Sequence, residues 1–339
     1  VTTTAAEARA TSPAPSGAPD PGSPRRRRPR AADRGLNRAF RYLATGAGTL
    51  ILVALAAVAG FLLWQAWPAL TSSGSEIASK VSFFQGQGSL ASYLGPLIFG
   101  TLLAAAVALV IAVPLAIGIA LFTSHYAPRR LASLLGWVID LLAAIPSVVY
   151  GLWGALVLAP AIQPVWQGVS DVLGWIPLFK GPAADPARVL MTVSLVLAVM
   201  ILPIITAVSR EVFLQTPKLH EEAALALGAT RWEMIRTAVL PFGRSGVVSA
   251  AMLGLGRALG ETMAVVMILS PGLTYSFALL LAGKQQTIAA NIALKYPEAN
   301  SLGMSTLMAT GLALFVITMV VNMASRWVVG RRKEFSGAN

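Results

Sequence analysis

Residues 94–123 read LGPLIFGTLLAAAVALVIAVPLAIGIALFT, 30 positions without one charged side chain. A helix that crosses the hydrocarbon core of a bilayer needs about 20 such residues, so this run is long enough to span. Similar runs place further helices at 42–66, 131–159, 187–209, 244–270 and 304–328. Pro128 and Pro186 suit the first turn of the third and fourth spans, where a missing N–H costs nothing, and Asp185 suits an N-cap. The expected fold class is therefore an all-α membrane protein with six transmembrane helices. Composition agrees: 56% of the 339 residues are hydrophobic and only 12% are charged, with mean hydropathy +0.70. That charged share is about half of what soluble domains carry.

The net charge of +12 does not point to nucleic acid. A nucleic-acid surface would interleave aromatics, or one helix face, with its Lys and Arg, whereas here the basic residues lie between apolar spans. Residues 1–40 are rich in Pro, Ala, Ser and Gly and end in an arginine cluster that includes Arg25, Arg26, Arg27 and Arg28. Such a segment buries too little apolar surface to fold alone and reads as a disordered basic tail; it is too extended for a signal peptide, and the run after it is too long. With both termini in the cytoplasm, twenty Lys and Arg fall on the inner side and five on the outer. The bias of basic residues toward cytoplasmic loops sets that orientation. The expected organisation is a tail over 1–40, a transmembrane domain over 41–330 with its core at 94–328, a cytoplasmic loop at 210–243 and a C-terminal tail over 331–339.

No catalytic apparatus is visible. There is no cysteine, hence no thiol chemistry. The fragment Gly283-Lys284 continues with Gln285 and lacks the upstream glycine of a phosphate-cradling loop. His125 and His220 stand apart at loop positions, and no metal site is expected. The loop at 210–243 carries more information. Thr216-Pro217 reads as a helix start, Gly228 as its stop, and a second short helix runs from Thr230 through Trp232, Ile235 and Val239 to Leu240-Pro241. Spacing by itself is that of an amphipathic helix pair laid on the membrane surface.

Within this loop, Glu222-Ala223-Ala224, three residues, Gly228, nine residues and Ala238-x-Leu240-Pro241 resemble the coupling loop of permease subunits in binding-protein-dependent ABC importers. The family's usual Ile is Ala238 here. The resemblance implies a MetI-like core with a peripheral first helix, and it makes Glu222, Ala223, Gly228, Leu240 and Pro241 the residues that couple to an ATPase. The stretches Ala143–Gly151 and Gly256–Thr262 are similar to those of phosphate-importer permeases. What this implies is translocation of inorganic phosphate across the cytoplasmic membrane with three kinds of partner: a second homologous permease, a cytoplasmic ATPase dimer that binds the ATP and Mg, and an extracytoplasmic phosphate-binding protein. The chain itself would need no cofactor. A permease for sulfate or molybdate would share the coupling loop, and a secondary transporter would instead need paired broken helices in internal repeats.

The fifth span supports a polar path on independent grounds. Ala250, Gly254, Arg257, Glu261 and Ala264 fall on one stripe, and Val248, Met252, Leu255, Leu259 and Val266 on the opposite one. An ionised side chain at mid-span costs about 2.5–3.5 kcal/mol on insertion scales and by default marks a substrate route. Arg257 is expected to attract the anion through its planar fork, and Glu261, in i,i+4 range, to temper that attraction; a structural ion pair is the competing reading. Pro146 should kink the third span and free a carbonyl about one turn earlier, with Ser147 placed either to satisfy backbone or to touch the anion. Asp140 is expected to meet a basic group of another span. Gly256 and Gly260 are expected to allow close helix packing within the permease dimer or the bundle, and the arginine tail to be drawn to anionic lipid.

Overall fold

The computed structural model describes residues 31–330 except Gln85. The expected tails therefore lie outside the described residues at 1–30 and 331–339, while positions 31–40 are helical. The chain divides into two units at Ala56. Helix α1, Ala31–Thr71, supplies the regular structure of the first and the opening of the second. Within the second unit its Ala66 and Ala69 pack on Ala309. Six helical stretches among the described residues are long and apolar enough to cross a membrane: Arg38–Thr71, Leu90–Tyr126, Ser147–Leu173, Leu190–Leu214, Arg231–Leu259 and Ser301–Trp327.

After the short helix α2, Gly74–Lys80, helix α3 runs over Leu90–Leu121 and opens on a capping box between Ser89 and Ser92. Ala104, Ala108, Ala112, Ala116 and Ala120 recur every fourth position along it, and all are buried. Small side chains at that spacing let two backbones approach closely. Helices α4 (Arg129–Ala144), α5 (Ser147–Trp153) and α6 (Ala159–Leu173) lead to α7, Leu190–Leu214, the most buried span and the one α3 lies against. Helices α8 (Lys218–Ala226) and α9 (Arg231–Met234) occupy the predicted cytoplasmic loop. Beyond them come α10 (Leu240–Leu259), α11 (Met263–Ile268), α12 (Ile288–Lys295) and α13 (Ser301–Gly330).

Three of the expected spans are redrawn. The third was expected at 131–159, but Pro146 breaks the chain instead of kinking it: Ile145 is extended, as a residue before proline tends to be, and the long stretch starts at Ser147. Residues 129–144 form a separate helix, which Pro128 precedes as N-cap. The fourth span starts at Leu190 with Val189 as its cap, so Pro186 and Asp185 lie before the helix, joined by a cis peptide. The fifth stops at Leu259 and resumes at Met263, with Gly260, Glu261 and Thr262 between.

Two prolines inside long helical runs are accommodated by a widened turn. Pro160 follows the π-turn Gly154–Leu158, and Pro241 follows the π-turn Ile235–Val239. A regular α-turn would press the ring against the carbonyl four residues earlier; the wider turn relieves that contact. At the opposite end of the bundle, segment 269–287 is non-helical and pairs with its neighbours: Leu279 N–H donates to Leu178 O at 2.8 Å and Met191 N–H to Leu279 O at 3.0 Å. Beneath it, Asn291 Nδ2 donates to Tyr93 Oη at 2.8 Å and Ile288 N–H to Thr101 Oγ1 at 3.0 Å. These bonds satisfy buried polar groups that the apolar spans could not.

Candidate functional site

The two broken helices meet. A Cβ on Gly151 would stand 2.9 Å from Ala264 Cα, so α5 and α11 touch backbone to backbone at that point. Their side chains complete each break. The carbonyl that Pro146 deprives of its helical donor is that of Leu142, and the Tyr150 hydroxyl donates to it at 3.0 Å. On the other side, buried Glu261 accepts from Ala264 N–H at 3.1 Å through Oε1 and so caps α11. Non-helical backbone at membrane depth is tolerated where protein buries it or where it lines a water-filled cavity.

Arg257 sits beside this junction, within electrostatic reach of Tyr150. Its depth follows from Gly254, whose Cβ would lie 2.8 Å from Ile205 and 3.5 Å from Ile201, residues halfway along α7. The structural Arg257–Glu261 ion pair of the competing reading is not made among the described residues. Arg257 lies on the last turn of α10 and is exposed, whereas Glu261 lies in the break and turns to the start of α11. The side chain of Arg257 faces an open cleft of about 890 Å³ between α10 and α13. Ser147, at the first turn of α5, is half-buried, and its hydroxyl makes no hydrogen bond among the described residues; the backbone role falls to Tyr150.

In the 210–243 loop, α8 starts at Lys218 with Pro217 as its cap; buried Thr216 does not cap it. The helix ends at Ala226, and two residues on Gly228 turns the chain with a φ of +84°, a left-handed value that favours glycine. A capping box follows, in which Glu233 accepts from Thr230 N–H at 2.8 Å and Thr230 Oγ1 accepts from Glu233 N–H at 3.3 Å. The outer side of α8 is open, with Glu222 and Ala223 exposed, Leu219 77% exposed and, just past the helix, Leu227 90% exposed. Its inner side is anchored, for Ala224 and Leu240 pack with Leu121, Phe213, Ile235 and Val239.

A family model described as binding-protein-dependent transport system inner membrane component matches residues 112–334. The chain belongs to this permease family. A phosphate transport system permease protein PstC 2 of Mycobacterium tuberculosis is 46% identical over 306 residues, covering 89% of this chain and 94% of that protein. The PstC of Xylella fastidiosa strain Temecula1 is 40% identical, covering 87% and 91%. Among solved structures, a chain of a bacterial alginate ABC transporter, in complex with alginate pentasaccharide-bound periplasmic protein, gives a TM-score of 0.55. It is 17% identical and covers 88% of this chain and 96% of that one, a likeness of fold. The protein is thus a multi-pass inner-membrane permease of the ABC-importer type, which sets secondary transport aside despite its broken helices.

Several permease residues stand elsewhere than expected. His125 is not isolated: its Nε2 lies 3.6 Å from Glu221 Oε1 and its Nδ1 2.6 Å from Ser124 Oγ, because the ends of α3 and α8 pack together. Asp140 is exposed and makes no ion pair among the described residues; the Arg210 guanidinium lies instead against Gly136. Within this chain Gly256 faces open space and Gly260 meets only the Gly256 carbonyl, 3.7 Å from where its Cβ would stand; it is Gly254 that admits α7. Pro241 is exposed in the first turn of α10. Sequence reasoning passed over Tyr150, although the signal was present: a proline that frees a carbonyl, followed four residues later by a hydroxyl-bearing aromatic.

Proposed function

We propose that this permease conducts inorganic phosphate delivered by an extracytoplasmic binding protein, along a path formed with a second homologous permease and driven by a cytoplasmic ATPase dimer. The observation that carries this reading is Arg257, a guanidinium at mid-depth with no acidic partner among the described residues, facing an open cleft beside two broken helices. A cation so placed is costly unless an anion or water meets it. Its planar donors match two oxygens of a tetrahedral oxyanion. The relatives named phosphate transport permeases, at 38–47% identity, favour phosphate over sulfate or molybdate.

In this mechanism Arg257 draws the anion to mid-membrane. Glu261, held in place by Ala264 N–H, keeps a negative charge near enough to weaken that hold, since a conducting site must release what it binds. Ser147 offers the anion a further hydroxyl, one that makes no hydrogen bond among the described residues. The basic end of the bundle faces the cytoplasm, and the ATPase dimer, which binds ATP and Mg, docks on the open side of α8. Glu222, Ala223 and Leu227 make that contact, Gly228 sets the turn, and Leu240 and Pro241 tie the loop to α10. The permease carries no cofactor of its own.

The test is ATP-dependent uptake of labelled phosphate, with sulfate as competitor, into vesicles holding this chain, its ATPase, a binding protein and the partner permease. Phosphate uptake that is lost in Arg257→Gln, with the complex still assembled, is the expected result. Normal uptake by that variant removes Arg257 from the path, and uptake of sulfate instead removes phosphate.

A further inference from the structure

The cleft that Arg257 faces holds a second arginine. Arg326, near the end of α13, lines it together with Asn322 one turn earlier, Ser325, and Ser249 and Met252 of α10. Among the described residues no lining side chain is acidic, and neither arginine makes an ion pair or hydrogen bond. The serines are already committed: Ser249 donates to Ser245 O at 2.9 Å, and Ser325 lies 2.8 Å from both Val321 O and Met252 Sδ. Among the described residues, the cleft donors that make no hydrogen bond are therefore Arg257, Asn322 and Arg326.

The Ser325–Met252 contact also fixes the register of α13 on α10. Met252 precedes Arg257 by five residues, about 7.5 Å of helix at 1.5 Å per residue, so Arg326 stands about a turn and a half from Arg257 toward the basic end. An arginine near a span terminus can simply extend its head to the membrane surface. That role needs neither an asparagine deeper in the same cleft nor a second arginine deeper still. Two guanidinium groups within apolar spans that make no ion pair among the described residues need an anion or water to meet them.

We infer that the α10–α13 cleft is a second oxyanion site, in which Arg326 and Asn322 receive a phosphate group on the basic side of Arg257. This rests on the reading of the chain as a phosphate permease insofar as the occupant is the transported ion; the headgroup of an anionic phospholipid offers the same chemistry. For the transported ion the site is an exit station, with Arg326 competing for an anion that Arg257 holds and so easing its release.

The chain has no cysteine, so Leu253→Cys, at an exposed lining position of the same cleft, gives a single reporter on this chain, read from its own band in the assembled importer. The measurement is its rate of modification by a water-soluble maleimide in neutral-lipid vesicles, with and without millimolar inorganic phosphate. Protection of several-fold, abolished by adding Arg326→Gln and partly restored by Arg326→Lys, is the expected result and identifies the free ion. Protection seen only when anionic phospholipid is included, and again lost in Arg326→Gln, keeps the site and assigns it to lipid. Protection by neither, protection indifferent to Arg326→Gln, or no labelling at all overturns the site. An importer that shows the protection yet accumulates no phosphate discards the transport reading and leaves the site standing.

Discussion

The Tyr150 hydroxyl closes the break at Pro146 by donating to Leu142 O at 3.0 Å across eight residues. Ile145 N–H gives the same carbonyl a longer bond of 3.4 Å. The aromatic ring thus ties the end of α4 to the first turn of α5, next to Arg257.

Tyr150→Phe keeps the ring and removes that donor. Because Ile145 still serves the carbonyl, the expected loss of stability is only about 1 kcal/mol. Uptake should fall further than stability does, since the break beside Arg257 loosens. A melting curve in detergent set against vesicle uptake separates the two effects.

Glu261 is expected to act both as a cap and as a charge, and two substitutions divide these roles. Glu261→Gln keeps an oxygen for Ala264 N–H, so its melting temperature should stay near that of the parent while uptake changes. Glu261→Ala removes the cap and should cost about 1 kcal/mol as well. Equal melting temperatures for the two variants would refute the capping role.

Gly151→Val forces a branched side chain against Ala264 Cα and Met267 Sδ, both 2.9 Å from the first added carbon. Overpacking of this kind costs about 1–3 kcal/mol, and here it must part α5 from α11. The expected outcome is a lower melting temperature with little transport even at full expression.

Gly228→Val places a β-branched residue at φ +84°, where an L-residue pays about 1–2 kcal/mol. Nothing crowds the position, so the strain is local and the membrane bundle should stay folded. Binding-protein-stimulated ATP hydrolysis by the assembled importer should fall. Leu227→Asp should instead reduce co-purification of the ATPase, since that side chain is almost wholly exposed.

Sequence alone determined the class of this protein. The apolar runs, the absence of charge within them and the loop spacing from Glu222 to Pro241 are local or periodic properties, and hydrocarbon allows a chain of that kind to be little other than helices. Arg257 was legible for the same reason, because a charge in an apolar run is conspicuous. Tertiary structure decided what each polar residue meets. Whether Pro146 kinks or breaks its span depends on whether a distant group takes up the freed carbonyl, and Tyr150 does. Whether Glu261 pairs with Arg257 depends on whether α10 continues past Leu259, and it does not. Which glycine admits a neighbour within this chain depends on which face α7 occupies, and that glycine is Gly254. Periodicity records the helix to which a residue belongs; its partners are fixed only once the helices have packed.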